Sequence, residues 1–221
     1  MIVVKYHDFV EIEYTGRTKD DNSIFDTTEE KVAKENGVYD KHASYSPVIV
    51  CIGQNNILKA LDDQMIGKET GKEYEFEISS EEAFGKRDAK LIQLIPANKF
   101  RQQKIQPFPG LQLNIDGIFG IVKTVSGGRI LVDFNHPLAG KDIVYKVKIN
   151  RVIEDNKEKL QSLLKIHLNI KDAEVELKED SATIKLREDI PKEVQSEFKK
   201  VAENSISSIK NIEFTIGKEL K

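Results

Sequence analysis

Residues 47–67 read Pro47-Val48-Ile49-Val50-Cys51-Ile52-Gly53-Gln54-Asn55-Asn56-Ile57-Leu58-Lys59-Ala60-Leu61-Asp62-Asp63-Gln64-Met65-Ile66-Gly67. The first third is a compact apolar run closed by a glycine, the pattern of a buried strand. The remainder sets Ile57, Leu61 and Met65 on one helical face, with Asn55 or Asn56 as the cap and Gly67 as the stop. Strand patterns flank this strand-to-helix unit on both sides. Val10, Ile12 and Tyr14 alternate with Glu11, Glu13 and Thr15, and the polar turn Lys19–Asn22 leads to Ser23–Thr27 as a hairpin partner. Glu73–Ile78 alternates again, and Ile143–Val152 is expected to pair back with this first block. Thr28–Ser46 is polar, with a short helix over Glu29–Glu35 stopped by Asn36-Gly37, and reads as an excursion from the sheet.

From about Lys86 to Phe134 the texture changes. Four of the six prolines lie between Pro96 and Pro137. Leu111–Ile115, Ile118–Val125 and Arg129–Phe134 are strand candidates joined by hairpin turns at Asp116-Gly117 and Gly127-Gly128, so a small β-rich unit is expected. After Glu154 the pattern restarts. Leu160, Leu163, Leu164 and His167 recur at helical spacing, Val175 to Leu186 alternates as a hairpin, and a helix follows with Val194, Phe198, Val201, Ala202 and Ile209 on one stripe. Ile212, Phe214 and Ile216 alternate last, completing an α-β-β-α-β order. Three strands and two helices make a marginal core, so a second copy of the tail is expected to cover its apolar stripes. The rival is a tail that packs on its own chain.

Composition bounds the function classes. Of 221 residues, 39% are hydrophobic and 32% charged, enough for packed cores and against wholesale disorder. Lys+Arg 34 against Asp+Glu 37 leaves no basic excess for phosphate backbones, which demotes nucleic acid as a partner. No apolar run suits a membrane span, and the start, with Asp8 and no basic n-region, does not read as a secretory signal. A lone Cys51 forms no internal disulfide, in keeping with a soluble protein of a reducing cytoplasm. Gly67–Glu73 resembles a phosphate loop, but its glycines stand one residue too close and Glu73 occupies the Ser/Thr position. His7, His42, His136 and His167 show no ligand spacing, so no metal is expected.

In order along the chain, V-x-I-x-Y-T-G (Val10–Gly16), Phe25-Asp26, I-G-x-x-x-I-L-x-x-L (Ile52–Leu61) and Ala83-Phe84-Gly85 resemble the FKBP-type peptidyl-prolyl isomerases. Asn135-His136-Pro137-Leu138-Ala139-Gly140 is similar to a segment of the SlyD-like subgroup, in which a flap domain is inserted where simple members have one loop. The long excursion and the tail resemble the long archaeal members. The resemblance covers about residues 1–153. It implies an α+β fold: an FKBP-like half-barrel antiparallel sheet with a short helix over 1–85 and 134–153, an inserted β-rich flap over 86–133, and the α-β-β-α-β tail over 154–221.

It also implies a site. Tyr14, Asp26 and Phe84 are the expected catalytic residues, and Phe25, Val50, Ile57, Leu58, Leu61, Leu138 and Tyr145 the expected substrate-binding ones, with no cofactor. Rotation about a prolyl imide is opposed by amide resonance, a barrier of ~18–20 kcal/mol. Lowering it needs no nucleophile or general base, only a dry pocket that prefers the twisted imide. Asp26 would bias the twisted carbonyl, Tyr14 would hold Asp26, and Leu58 N–H would receive a substrate carbonyl. Leu61 stands where the best-known members have Trp and Phe84 where they have Tyr, which implies weaker binding of macrolide inhibitors. The expected partners are prolyl peptides and unfolded or partly folded proteins, held by apolar flap residues such as Leu91, Ile92, Leu94, Ile95, Phe100, Ile105, Phe108, Ile118 and Phe119. The alternatives are a non-catalytic holdase chaperone with a vestigial pocket, and a structural dimer governed by the tail.

Overall fold

The computed structural model describes residues 1–115 and 117–217. In chain order the elements are β1 (Phe9–Thr18), β2 (Ile24–Thr27), α1 (Glu30–Glu35), β3 (Val48–Cys51), α2 (Lys59–Met65), β4 (Lys72–Ile78), β5 (Ile92–Pro96), α3 (Ala97–Gln102), β6 (Gln112–Ile115), β7 (Ile118–Ser126), β8 (Arg129–Asp133), β9 (Ile143–Ile153), α4 (Asn156–Leu168), β10 (Glu174–Lys178), β11 (Ser181–Leu186), α5 (Lys192–Ser205) and β12 (Asn211–Ile216). They form two compact units: Met1–Ile78 with the chain from Ile143 onward, and Ser79–Asp142.

In the first unit, β1 is the centre of an antiparallel sheet ordered β2-β1-β9-β4, with β3 paired to the first half of β1. The alternation in β1 works as expected on one face, where Val10 and Ile12 are fully buried. The other face is not left to solvent. Phe9, with its cross-strand partners Cys51 and Ile153, enters the same apolar cluster as Leu160, Leu163 and Leu164 of α4 and Phe198 and Ala202 of α5. Only Glu154 and Asp155 separate β9 from α4, and the Asp155 carboxylate caps that helix by accepting from Glu158 N at 2.8 Å. Arg151 pairs with both Glu11 of β1 and Glu158 of α4.

The tail therefore has the expected element order, with β10-β11 antiparallel and β11-β12 parallel through α5. Its outer sheet face is polar: Glu174 and Glu176 flank Lys185, which pairs with both. The two helix stripes expected to need a second copy are largely covered within the chain, although Leu177 and Ile216 stay exposed on the edge strands β10 and β12. The chain buries Leu160, Leu163, Leu164, Phe198, Ile206 and Ile209 against its own first sheet and tail. Rather than a separate third domain, the tail shares a core with the head.

The insert is longer than the expected 86–133, because Ile78 of β4 and Ile143 of β9 are still cross-strand partners and the first sheet ends there. Within it β5-β8-β7-β6 form an antiparallel sheet over a core of Phe100, Leu113, Val122, Ile130 and Val132. Gly127 and Gly128 both have positive φ (56° and 75°), as the tight β7–β8 hairpin requires. Asp116 of the other expected turn lies outside the described residues. The sequence pattern does not predict β5 or α3, each being short and the two abutting at Pro96. At the end of β8, buried Asp133 pairs with Arg87 and Lys123 and accepts from Asn135, whose amide also bridges to Asp88.

Candidate active site

Strict alternation would send consecutive residues Phe25 and Asp26 to opposite sheet faces. The register prevents that: Gly16 pairs with Asp26 but Arg17 pairs with Ile24, leaving Phe25 as an extra residue in a β-bulge. A bulge re-aims side chains, and here both neighbours turn toward the same place. The Phe25 ring meets Tyr145 edge-to-face (centroids 5.6 Å apart), and Tyr14 meets Tyr145 likewise at 5.7 Å. Tyr14 Oη donates to Asp26 Oδ2 at 3.1 Å.

Gly16 makes this convergence possible. It is the cross-strand partner of both Asp26 and Tyr145, and a Cβ there would lie 2.8 Å from both the Phe25 and the Tyr145 ring. A glycine inside a strand is a signal for close approach, and this one sits at the end of the V-x-I-x-Y-T-G motif. The Tyr14 backbone is held as well, its N–H donating to Thr28 Oγ1 and its C=O accepting from Thr28 N–H, both at 2.9 Å.

Burial shapes the electrostatics. The Tyr14 hydroxyl pKa is raised by desolvation and then by Asp26, so it stays a protonated donor. Tyr145 is raised for the same two reasons, desolvation first. Surrounding apolar atoms push the Asp26 carboxyl up, while the hydrogen bonds from Tyr14 and Thr27 N–H pull against that. Asp26 remains open to solvent on one side, at the mouth of a cavity of about 270 Å³.

Residues 28–46 do leave the sheet, carrying α1, and they also wall this cavity. Val38, Asp40, Ala43, Ser44 and Tyr45 line it together with Tyr14, Phe25, Asp26 and Val48. Tyr45 organises the segment, its hydroxyl accepting from Asp40 N–H at 2.8 Å and its ring stacking on Tyr39. Polar composition hid a wall with only three apolar members, Val38, Ala43 and Tyr45. Val50 is buried beneath, beside Val10, and Val48 rather than Val50 reaches the cavity.

Leu61 is buried on α2, and Ile57 and Leu58 are half-buried on the loop before it; none of the three lines the cavity. The helix begins later than expected. Leu58, not Asn55 or Asn56, is its N-cap residue, because Asn56 Oδ1 is taken by Cys51 N–H at 2.8 Å and Asn55 adopts a left-handed φ of 52°. The loop N–H groups of Gly53 and Asn55 instead find Asp62, a buried carboxylate that sequence reasoning left unassigned. Phe84 and Leu138 belong to the second unit, where the Phe84 ring stacks on His136 at 4.5 Å and Leu138 N–H donates to His136 Nδ1 at 3.2 Å.

A family model for FKBP-type peptidyl-prolyl cis-trans isomerase matches residues 3–106. The chain is 32% identical over 150 residues to the short-type peptidyl-prolyl cis-trans isomerase of Methanocaldococcus jannaschii, covering 68% of this chain and 94% of that one. The chain belongs to the FKBP-type peptidyl-prolyl cis-trans isomerases. Among FKBP-type relatives it is also similar to the SlyD isomerase of Helicobacter pylori, 29% identical over 126 residues (56% of this chain, 68% of that one). The 16 kDa FKBP-type isomerase of Escherichia coli is 26% identical over 107 residues (47% and 72%). A second model, described as the IF domain of FKBP26, matches residues 93–138, inside the unit that interrupts the FKBP-type sheet. Among the described residues no helix is long and apolar enough to cross a membrane.

Proposed function

We propose that this isomerase turns prolyl peptide bonds at the wall formed by Tyr14, Phe25, Asp26 and Tyr145. The observation that carries the assignment is the Tyr14–Asp26 hydrogen bond inside an aromatic enclosure assembled by a bulge and a glycine. In the planar ground states the imide is held by resonance; at the twisted state the nitrogen is pyramidal and the carbonyl has lost its partner. Apolar walls disfavour neither form of the proline ring, but they exclude the water that favours the more polar planar amide. Asp26, oriented by Tyr14, supplies a fixed charge whose interaction with the substrate dipole changes as the carbonyl rotates out of plane. No proton moves, so Tyr14 acts by holding Asp26 rather than as an acid. The roles given to Ile57, Leu58, Leu61, Phe84 and Leu138 rest on the family resemblance. A protease-coupled prolyl tetrapeptide assay tests the site: Asp26→Ala should lower kcat/KM by about 10-fold or more, toward the low end of what one preorganised interaction contributes. Full activity in Asp26→Ala would overturn the assignment.

A chaperone role for the insert is favoured by a separate observation. Leu94, Phe108, Ile118 and Phe119 are 44–60% exposed, whereas Phe100 is buried. Exposed apolar side chains gathered on so small a unit suit extended, partly folded chains. Ile92 and Asp133 are cross-strand partners, so Gln93–Val132 can be replaced by a two-residue turn. The shortened protein should keep tetrapeptide activity within about 3-fold and lose its acceleration of a proline-limited refolding reaction. Equal loss on both substrates would mean that the insert only props the pocket. We assign the protein to a reducing cytoplasm, on its single buried thiol.

A further inference from the structure

Gly53 is held from two sides. On the inner side its N–H lies 3.0 and 2.9 Å from the two oxygens of the Asp62 carboxylate, and Asn55 N–H adds a third contact to Oδ2 at 3.2 Å. Asp62 is only 1% exposed, and no described side-chain cation lies within ion-pairing distance of it. Burial pushes its pKa up, and the backbone N–H groups of Gly53 and Asn55 oppose that most, with a smaller contribution from the Lys59 charge. On the outer side Tyr6 Oη donates to the Gly53 carbonyl at 3.2 Å. The Tyr6 ring also fills the space of the missing side chain: a Cβ on Gly53, whose φ is +85°, would fall 2.1 Å from Tyr6 Cε2.

A buried carboxylate costs stability unless its partners repay it, and a hydrophobic residue would fill the inner face of a seven-residue helix more cheaply. What the carboxylate does instead is fix the path between β3 and α2. Asp62 N–H and Leu61 N–H both donate to Leu58 O, at 3.0 and 2.9 Å, so the residue that anchors Gly53 is joined to the helix turn that presents Leu58. We propose that Asp62 and Tyr6 are positioning residues, a two-sided clamp on Gly53 that sets where Ile57 and Leu58 meet the substrate backbone. The inference rests on the isomerase reading and on the roles the family resemblance gives Ile57 and Leu58, and the clamp itself can be observed apart from activity.

The test uses the full chain in four forms: wild type, Asp62→Asn, Asp62→Ala and Tyr6→Leu. Tetrapeptide kinetics are measured at least 20 °C below each form's melting temperature, with amide hydrogen exchange followed at Gly53 and Asn55. Asn keeps one acceptor in the same shape and Ala none, so the losses should be graded. The expected fall in kcat/KM is about 3-fold for Asn and about 10-fold or more for Ala, carried by KM with kcat little changed. Exchange at Gly53 and Asn55 should quicken in the same order. Tyr6 is exposed, so Tyr6→Leu should fold even if the Asp62 variants do not, and it should raise KM several-fold, about as Asn does. Folded variants that melt earlier yet keep the wild-type KM would reduce the clamp to a structural role and overturn the proposal. A wild-type chain inactive on the peptide would overturn the isomerase reading, a different result from active wild type with unaffected variants.

Discussion

Gly16→Ala adds one methyl group at the point where two rings of the site meet. The new Cβ would stand 2.8 Å from Phe25 Cζ, 2.8 Å from Tyr145 Cε1 and 2.9 Å from Phe25 Cε2. Carbon atoms are comfortable at ~3.5–4.0 Å, so one or both rings must retreat by roughly 1 Å. Gly16 lies in an ordinary strand conformation, so the backbone adds no strain and alanine returns ~0.5–1 kcal/mol through the unfolded chain. Against this, overpacking costs ~1–3 kcal/mol. The net destabilisation is about 1–2 kcal/mol, a drop of a few degrees in melting temperature. Activity should suffer more than stability, because the displaced rings are the enclosure: a misplacement of about 1 Å can cost ~100-fold, and we expect a loss of ~10–100-fold in kcat/KM. The assay is protease-coupled isomerisation of a prolyl tetrapeptide beside a urea melt. Phe25→Leu, which removes the ring atoms nearest the methyl, should restore part of the stability when combined with Gly16→Ala. A Gly16→Ala protein with kcat/KM within 2-fold of wild type would refute the claim that ring placement by Gly16 governs the site.

Tyr14→Phe keeps the ring against Tyr145 and deletes only the bond to Asp26, so it should lose less kcat/KM than Asp26→Ala and leave the melting temperature within a few degrees. Asp26 gives a pH signature. Its folded pKa is raised above the unfolded value, so its contribution to stability is fully present below the ordinary carboxylate range and is lost as pH rises through the raised value. Asp26→Asn should therefore match wild type in melting temperature at low pH and exceed it at pH 7, while losing activity; a lower melting temperature at pH 7 would contradict the burial argument. In solution, light scattering should report a mass near 25.1 kDa, since the tail's apolar stripes are already covered within the chain. Truncation after Asn156 should then destabilise the head by exposing Phe9 and Ile153, instead of releasing a monomer from a dimer.

The strands were legible because alternation is a local property: Val10 and Ile12 face inward in any sheet that covers one side of β1. The family was legible because its motifs recur in order, and Phe25-Asp26 could be named without knowing how both come to face one place. Two things resisted. The 28–46 segment reads as polar because most of its residues do face solvent, and only a closed fold shows that Val38 and Tyr45 turn back to wall the cavity. Asp62 reads as one more helix-surface acid beside Asp63, and only the loop that curls over it makes its burial favourable.

By itself, then, the amino-acid order determined most of the strands and helices and that a β-rich unit interrupts the first block, and through the family resemblance it named candidate side chains for an isomerase site. The elements depend on spacing along a few residues. The bulge at Phe25, the empty position at Gly16, the Gly53 clamp and the burial of the tail against Phe9 were decided by tertiary structure. Each depends on which backbone atoms of distant segments lie within a few ångströms, and a register shift of one residue would undo it without altering any local pattern.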